Sequence, residues 1–382
     1  ATTEIYTLSL HDALPIWAHY RFRRSVERCR GTCVLLYLLG VLKIMKKGTV
    51  YFKNKPEITS VFTVAGPKES EGPIGDFIEK KLTDDKYGEK TFEKAEKKIL
   101  SEAIENVVMV SDKEFSDIDA LIAGDLLNQI ISSSFSARDF KIPFIGVYSA
   151  CSTMSESIAL AASFIDDCKM ENVICATGSH FASAERQYRY PLELGSTRPP
   201  QSQWTVTGAG ACIVSKSEGV RPIAGSNPYI ESATFGKVVD YGVTDANNMG
   251  AAMAPACADT MVRHFRNTST CPDDYDLILS GDLGVLGSRI LKDLVWEKGY
   301  DITDNHVDCG EMIYNLDEKN YQGGSGAGCS ALVLNSYIYR RMREKRIKSV
   351  LFLATGALLS SVSSQQGESI PCISHAVVIK ND

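Results

Sequence analysis

Two short apolar stretches that end on Gly-Asp stand out in the pattern of hydrophobic and polar residues. One covers residues 117–125 (DIDALIAGD) and the other covers residues 274–282 (DYDLILSGD). An apolar run of this length that closes on glycine is typical of a buried strand followed by a tight turn. A carboxylate after such a strand often caps the next helix, so we expect Asp125 and Asp282 to be caps rather than metal ligands.

A second pattern also occurs twice. Cys151 and Cys329 each precede a serine and an apolar helical stretch, and each stretch leads to a run that ends in Ala-Thr-Gly. The two cysteines are 178 residues apart, and so are Gly178 and Gly356 at the ends of these runs. The repeat predicts an α/β fold of two similar halves, with mainly parallel strands and with central helices that are apolar on nearly all sides.

This repeat divides the chain into an N-terminal half at 45–220 and a C-terminal half at 221–382. Residues 1–44 fit neither half, because they lack a sustained helical or strand period, and we expect a non-native or read-through segment. Within them, residues 34–44 are apolar but number only 11. A membrane-spanning helix needs about 20 apolar residues, so we predict no transmembrane segment.

Composition and charge narrow the function classes. The 382 residues include 41 Lys and Arg against 47 Asp and Glu, a net charge of −6, so no general basic field would attract nucleic acid. The cysteines after residue 45 form no Cys-x-x-Cys pair, which argues against a zinc site and favours a reducing compartment. No Asp-rich loop typical of calcium sites occurs either, and we expect neither a metal nor a cofactor.

Cys151 is the strongest candidate for chemistry. It joins a predicted strand at 143–148 to a helix that begins near Ser152, which places its thiol at the positive end of a helix dipole. Such a position lowers the pKa of a thiol and creates a nucleophile or an anion site. The alternative is a small buried thiol that only fills the core.

Two α/β halves with a cysteine at the start of the first central helix resemble the thiolase and ketoacyl-synthase superfamily. The resemblance implies a five-layer αβαβα arrangement and an acyl group carried on the cysteine, activated by a histidine-containing pair from the second half. That histidine would fall near 280–284 or 320–322, and neither stretch contains one. We therefore expect a non-enzymatic binding protein without catalytic residues; the alternative is an acyl-transferring condensing enzyme that uses Cys151.

Four further motifs narrow the resemblance to one family of this superfamily. In order they are SHFASAERQYRYPLE at 179–193, RPPQSQWTVTGAGA at 198–211, NMGAAMAPA at 248–256 and GGSGAGCS at 323–330. Over residues 45–382 the chain resembles the stage V sporulation protein AD family of spore-forming Firmicutes. That resemblance implies binding of dipicolinic acid (pyridine-2,6-dicarboxylic acid), free or as its calcium chelate. It also implies membrane-protein partners from the same operon, ligand uptake into the forespore and release at germination, and a peripheral position at the inner spore membrane.

The ligand implied by this resemblance is a flat aromatic dianion, which needs a slot and hydrogen-bond donors. We expect Cys151, His180, Asn248, and Ser325 in the glycine-rich run to contribute to its binding. Tyr321 stands where many members of the family carry a histidine; it can hydrogen-bond a carboxylate but supplies no cation near neutral pH. For His180 and Asn248 the alternative is a structural role.

Three arginines, Arg186, Arg189 and Arg198, could attract the dianion. Glu185 and Glu193 lie among them, so a salt-bridge network that stabilises a loop is the alternative. Because relatives of this fold often pair along a sheet edge, a homodimer is a further expectation.

Overall fold

The computed structural model describes residues 47–188, 198–217, 227–316 and 322–381. The segment 1–44 lies outside these residues, and its interpretation stays a prediction. The described strands are β1 (Thr49–Tyr51), β2 (Glu57–Ala65), β3 (Lys80–Lys81), β4 (Ala120–Gly124), β5 (Phe144–Gly146), β6 (Asn172–Ser179), β7 (Trp204–Thr205), β8 (Gly208–Ser215), β9 (Tyr229–Thr234), β10 (Leu277–Gly281), β11 (His306–Asp308), β12 (Gly324–Ser325), β13 (Ser349–Ala357) and β14 (Cys372–Lys380).

The described α-helices are α1 (Pro67–Ser70), α2 (Phe92–Met109), α3 (Ile131–Phe140), α4 (Thr153–Asp166), α5 (Phe181–Tyr188), α6 (Met249–Thr268), α7 (Gly284–Trp296), α8 (Cys309–Ile313), α9 (Ala327–Val333), α10 (Tyr339–Arg343) and α11 (Ser361–Gln365). A π-helical turn, Leu334–Ile338, joins α9 to α10. Among the residues that the structure describes, no helix combines the length and the hydropathy needed to cross a membrane.

Two sets of five strands have the same internal order. The first set runs β5-β4-β6-β8-β2 and the second runs β11-β10-β13-β14-β9, and β2 meets β9 at the pair Glu57 and Tyr229. In each set the three strands farthest from this junction are parallel. The predicted α/β fold of two similar halves is confirmed.

The prediction of mainly parallel pairing is wrong for the inner strands. β8 and β14 each run antiparallel to both of their neighbours. The start of β8 lies beside the end of β6, with Gly208 opposite Ser179. The connection through α5 therefore stays at one end of the sheet, whereas a parallel pair would need a crossover along its length.

Helices cover and separate the two strand sets. α4 contacts β6, β13 and β14, so it lies between the sets. α9 contacts β6 and β8, and a Cβ on Gly281 of β10 would lie 2.9 Å from the Cβ of Ser330 in α9, so α9 lies between the sets as well. α2 covers the outer face of the first set, and α6, backed by α7, covers the outer face of the second. Ile158 of α4 and Leu332 of α9 are fully buried in one hydrophobic cluster, as expected of central helices with apolar residues on nearly all sides. The layers are the predicted αβαβα arrangement.

Candidate functional site

A pocket opens where the central helix α4 begins. Cys151 lies on the 3₁₀ turn Ala150–Ser152 that leads into α4, and it is 8% exposed. The pocket holds about 500 Å³ of space, counted out to its open mouth. Its apolar lining consists of Leu126, Ala150, Ala184, Met249, Met253, Gly326, Ala357 and Leu359. Its polar lining consists of Tyr148, Cys151, Glu185, Tyr188, Thr205 and Ser325.

The turn that carries Cys151 is held by close backbone contacts. Ala150 has a φ of 51°, in the left-handed region that costs a residue with a Cβ roughly 1–2 kcal/mol. Gly356, at the end of the second Ala-Thr-Gly run, lies against this turn. A Cβ there would come within 1.9 Å of the Ser149 carbonyl oxygen and 3.0 Å of the Cys151 nitrogen. Strand β13 of the second set thus fixes the cysteine of the first.

The Cys151 thiol is less acidic than its helix position predicts. Burial raises its pKa well above the usual value, and the carboxyl group of Asp282 raises it further, while the backbone N–H of Gly326 lowers it. The expectation that the helix dipole lowers the pKa of this thiol is therefore wrong. Desolvation of a buried thiolate outweighs the partial charge at the helix start, so Cys151 is a neutral thiol at neutral pH.

Asp282, directly after β10, is the carboxyl group next to Cys151 and is fully buried. The thiols of Cys151 and Cys329 and the N–H of Gly326 face it, yet no described group makes a well-aligned hydrogen bond with either oxygen. Burial and the neighbouring Asp308 raise the pKa of Asp282 well above its usual value. The prediction that Asp282 caps the following helix is wrong.

Asp308 on β11 has taken over the capping role. Its carboxylate accepts hydrogen bonds from the backbone N–H groups of Leu283, at 3.0 Å, and Gly284, at 2.8 Å, where α7 begins. The hydroxyl of Ser280 donates to the same carboxylate at 2.6 Å. Because Leu283 follows Asp282 directly, Asp308 also fixes the backbone that carries the unpartnered carboxyl group.

Asp125, the counterpart of Asp282 in the first half, behaves as expected. One of its oxygens accepts from the N–H of Leu127 at 2.9 Å. The other accepts from both the N–H and the hydroxyl of Ser133, each at 2.7 Å, in the first turn of α3. This carboxylate is therefore a structural cap.

One pair of opposite charges borders the pocket. Glu185 is 5% exposed, accepts a hydrogen bond from the Thr205 hydroxyl at 2.9 Å, and lies 3.6 Å from the Arg198 guanidinium. Arg198 also stacks over the ring of Trp204, 4.8 Å from its centroid. Among the described lining residues Glu185 is the sole carboxylate, and Arg198 balances its charge. Arg198 therefore forms a salt bridge with Glu185, which was the alternative to attracting the dianion.

The structure brings two of the five predicted ligand-binding residues to the pocket, Cys151 and Ser325. His180 is not part of the lining. Its Nε2 hydrogen-bonds the carbonyl oxygen of Asp85 at 2.7 Å, and its Nδ1 accepts from the N–H of Ala182 at 3.1 Å. Both ring nitrogens therefore serve the fold, as in the structural alternative.

Asn248 lies at the edge of the site rather than in its lining. It precedes α6, whose first residue Met249 lines the pocket, and its buried side-chain oxygen has no described hydrogen-bond partner. Arg186 lies 3.9 Å from Glu93 instead of facing the pocket. Tyr321 and Arg189 lie outside the described residues.

The described second-half histidines are engaged away from Cys151. Their partners are Thr234 and Tyr275 for His264, Ser280 for His306, and Gly236 for His375. Burial lowers the pKa of His264 and His306 to about 3 and that of His375 to about 4, so all three are neutral. Among the described residues, no imidazole lines the pocket.

The sequence reasoning missed most of the pocket wall. Tyr148 and Tyr188 face each other with their hydroxyl oxygens 3.4 Å apart, and Met253 comes from α6 of the other half. Tyr148 lies three residues before Cys151, and Tyr188 lies in the motif at 179–193. Their closeness in sequence to these features is the one indication that they could line the pocket. Nothing in the sequence placed Met253 beside them.

Proteins of similar sequence show the family of this chain. The family described as "Stage V sporulation protein AD (SpoVAD)" matches residues 46–380. The chain belongs to this family. It is 43% identical to the stage V sporulation protein AD of Bacillus subtilis (strain 168) over 339 residues, which cover 89% of this chain and 98% of that relative. The resemblance based on four sequence motifs is confirmed.

Solved structures place this chain among thiolase-like folds. The 3-oxoacyl-[acyl-carrier-protein] synthase III of Aquifex aeolicus VF5 has a TM-score of 0.51 at 13% identity, covering 85% of this chain and 99% of that chain. OleA of Xanthomonas campestris, solved with lauric acid and lauroyl-CoA, has a TM-score of 0.54 at 12% identity, covering 86% and 99%. At such identities the likeness shows the fold alone.

The site therefore combines a neutral thiol with an aromatic and thioether wall. Within the described ranges, no group of three or more His, Cys, Asp or Glu side chains is arranged to hold a metal ion. Nucleophilic attack by a cysteine needs a thiolate or an adjacent base, and the Cys151 thiol is neutral.

Proposed function

We propose that this chain binds dipicolinic acid, free or as its calcium chelate, in the pocket at Cys151 and does not transfer acyl groups. In this proposal it serves the uptake and release of that ligand in the forespore and spore. It lies peripherally at the inner spore membrane, and its partners are membrane proteins of the same operon. Pairing of two copies along a sheet edge belongs to the same proposal.

The observation that carries the proposal is the chemistry of the lining. Tyr148 and Tyr188 offer aromatic surface, and Met249 and Met253 offer polarisable sulfur, which together suit a flat ring. Donors for carboxylates are available in the same pocket, because the 14-residue helix α4 begins beside it.

Calorimetric titration of the full chain with dipicolinate, with and without an excess of Ca²⁺, tests the binding. We expect saturable one-to-one binding and a rise in the melting temperature, since a ligand of the native state stabilises it by RT ln(1 + [L]/Kd). Benzene-1,3-dicarboxylate is the control ligand, because it keeps both carboxylates and lacks the ring nitrogen. Absence of heat and of thermal shift at millimolar dipicolinate, with or without Ca²⁺, would refute the proposal.

Acyl transfer is tested separately by incubating the chain with acyl-CoA thioesters and measuring its intact mass. A catalytically silent site gives no mass gain. An acyl adduct that maps to Cys151, and that the Cys151→Ala variant lacks, would establish the condensing-enzyme alternative instead.

Membrane association has its own test. A peripheral protein is released from spore membranes by high salt or carbonate, and it stays bound only while its partners are present. Retention after both washes would contradict the peripheral position, and light scattering of the purified chain tests the homodimer.

A further inference from the structure

A strongly basic segment follows the last turn of α10. Residues 340–348 (RRMREKRIK) contain six Lys and Arg and a single Glu, in a chain whose net charge is −6. Five of these six cationic residues are exposed: Arg340, Arg343, Lys345, Arg346 and Lys348. Cations in the last turn of a helix complement its dipole, but that effect does not extend beyond the helix end. The segment continues past Arg343, where α10 ends, so the dipole does not account for all of it.

This segment lies at the opposite end of a helix from the pocket. α9, the π-helical turn and α10 follow one another without a break from Ala327 to Arg343. At 1.5 Å per residue this helical run is about 25 Å long. Gly326, directly before it, lines the pocket. A partner bound at the basic end therefore leaves the pocket end free.

Two of the guanidinium groups are held in place by aromatic rings. Arg340 and Arg341 both lie over the ring of Phe77, at 5.2 Å and 5.1 Å from its centroid. The Phe77 ring packs edge-on against Tyr337, with 4.9 Å between the centroids. Cation–π contacts of this kind restrict long side chains before a partner arrives, which reduces the entropy lost on binding.

The acidic residue of the segment neutralises only part of this charge. Glu344 lies 3.1 Å from the Arg341 guanidinium and 3.3 Å from that of Arg346, so one carboxylate is shared by two cations. Arg343 donates to the side-chain oxygen of Asn227, which carries no charge. The segment therefore keeps a clear excess of positive charge.

A carboxylate on a neighbouring element also contacts the segment. Asp276 accepts hydrogen bonds from the backbone N–H groups of Lys348, at 2.8 Å, and Ser349, at 3.1 Å. With Glu344 and Asp276 both counted, six cations stand against two carboxylates. Exposed cations in this number attract a surface of dense negative charge, and the attraction falls with added salt.

We propose that the basic surface at residues 340–348 docks the chain on a bilayer that contains anionic lipids. Clusters of four to eight Lys and Arg are typical of segments that bind acidic head groups. This inference rests on the peripheral membrane position in the proposed function and names the surface that provides it. It does not depend on which ligand the pocket takes.

Co-sedimentation of the full chain with lipid vesicles tests the inference. We expect binding to vesicles that contain phosphatidylglycerol, none to pure phosphatidylcholine vesicles, and release from the former at high salt. The combined substitution Arg343→Gln, Arg346→Gln and Lys348→Gln removes three exposed cations. Because each cation near an anionic leaflet strengthens binding about fivefold, the affinity for the vesicles should fall about a hundredfold.

A second triple variant is the matched control. Lys86→Gln, Lys90→Gln and Lys94→Gln remove the same charge from exposed lysines around the start of α2, which is Phe92. This variant should keep its affinity for the vesicles within about twofold of the parent chain. Both triple variants should melt at the parent temperature and bind dipicolinate as the parent does, which shows that neither is unfolded.

Three results would overturn the proposal: no binding of the parent chain to phosphatidylglycerol vesicles, equal binding to phosphatidylcholine, or equal losses in the two triple variants. Binding of an oligoglutamate peptide without binding of vesicles would assign the surface to an acidic protein segment and would also overturn it. A parent chain that binds the vesicles but not dipicolinate would refute the pocket proposal and leave this one intact.

Discussion

The two copies of the Gly-Asp motif have the same sequence setting and opposite surroundings. Asp125 is fully buried and accepts three hydrogen bonds, from Leu127 and Ser133. Asp282 is equally buried, and neither of its oxygens has a well-aligned partner among the described residues. The duplicated strand and turn supply the same group twice, and only the elements packed around it decide whether it caps a helix or stays without a well-aligned hydrogen-bond partner.

The largest loss of stability should come from substituting a glycine of the two Ala-Thr-Gly runs. At Gly356 a Cβ would meet the Ser149 carbonyl oxygen at 1.9 Å, whereas at Gly178 the nearest atom is the Ala209 methyl group at 2.9 Å. Gly356→Ala must displace backbone, and we expect it to lower the free energy of unfolding by about 3 kcal/mol or more, against about 1–2 kcal/mol for Gly178→Ala. Urea unfolding measures both, and equal costs would contradict the close approach at the Cys151 turn.

Isosteric amides test the comparison of the two aspartates directly. Asp125→Asn turns an amide NH₂ toward backbone N–H groups that need an acceptor, and we expect it to cost about 2 kcal/mol. Asp282→Asn loses no well-formed hydrogen bond, so its unfolding free energy should stay within about 1 kcal/mol of the parent chain. The urea midpoints at constant m-value give both numbers. A larger loss for Asp282→Asn would mean that this carboxyl group is structural after all.

The equivalent cysteines sharpen the comparison at the pocket. Cys151→Ala removes a group from the lining, and on the proposed function we expect about fivefold weaker dipicolinate binding, or about 1 kcal/mol. Cys329→Ala is the matched control, because Cys329 is fully buried and absent from the lining. It should lower stability and leave the affinity unchanged. Calorimetric titration with dipicolinate measures the affinity of both variants. Equal affinities would show that Cys151 is not part of the binding site.

Glu69 is intermediate between the two aspartates, because only one of its two oxygens is hydrogen-bonded. Its substitution should have the smallest effect on stability. One of its oxygens accepts from the Thr207 N–H at 3.0 Å and from the Tyr314 hydroxyl, and the other has no described partner. Burial raises the pKa of Glu69 to about 7. Because the folded pKa is the higher one, the parent chain loses stability as the pH rises through about 7, and Glu69→Gln does not.

The stability of Glu69→Gln relative to the parent chain should therefore increase by about 1 kcal/mol between pH 6 and pH 8. Urea unfolding at both pH values measures this difference and cancels the contributions of the buried histidines. A difference that is constant with pH would show that Glu69 ionises normally in the folded chain.

Part of the site was predictable because it depends on the spacing of residues that are close in the sequence. The strand before Cys151, the helix after it and the glycine-rich run near Ser325 follow from short-range patterns of apolar residues and glycine. The acidity of the thiol was not predictable, since it depends on how much water and which carboxyl group the fold leaves beside it. The same holds for His180, whose ring nitrogens are bonded to Asp85 and Ala182 instead of a ligand.

The sequence by itself determined the duplicated α/β fold, its family and the position of Cys151 at the start of a central helix, because these depend on hydrophobic period and motif spacing along the chain. Only the tertiary structure decided that β8 and β14 run antiparallel to their neighbours, that Asp308 replaces Asp282 as a cap, and that the pocket wall includes Met253. Hydrogen bonds and desolvation act between atoms that meet in space. For these residues the partners come from strands and helices far apart in the sequence.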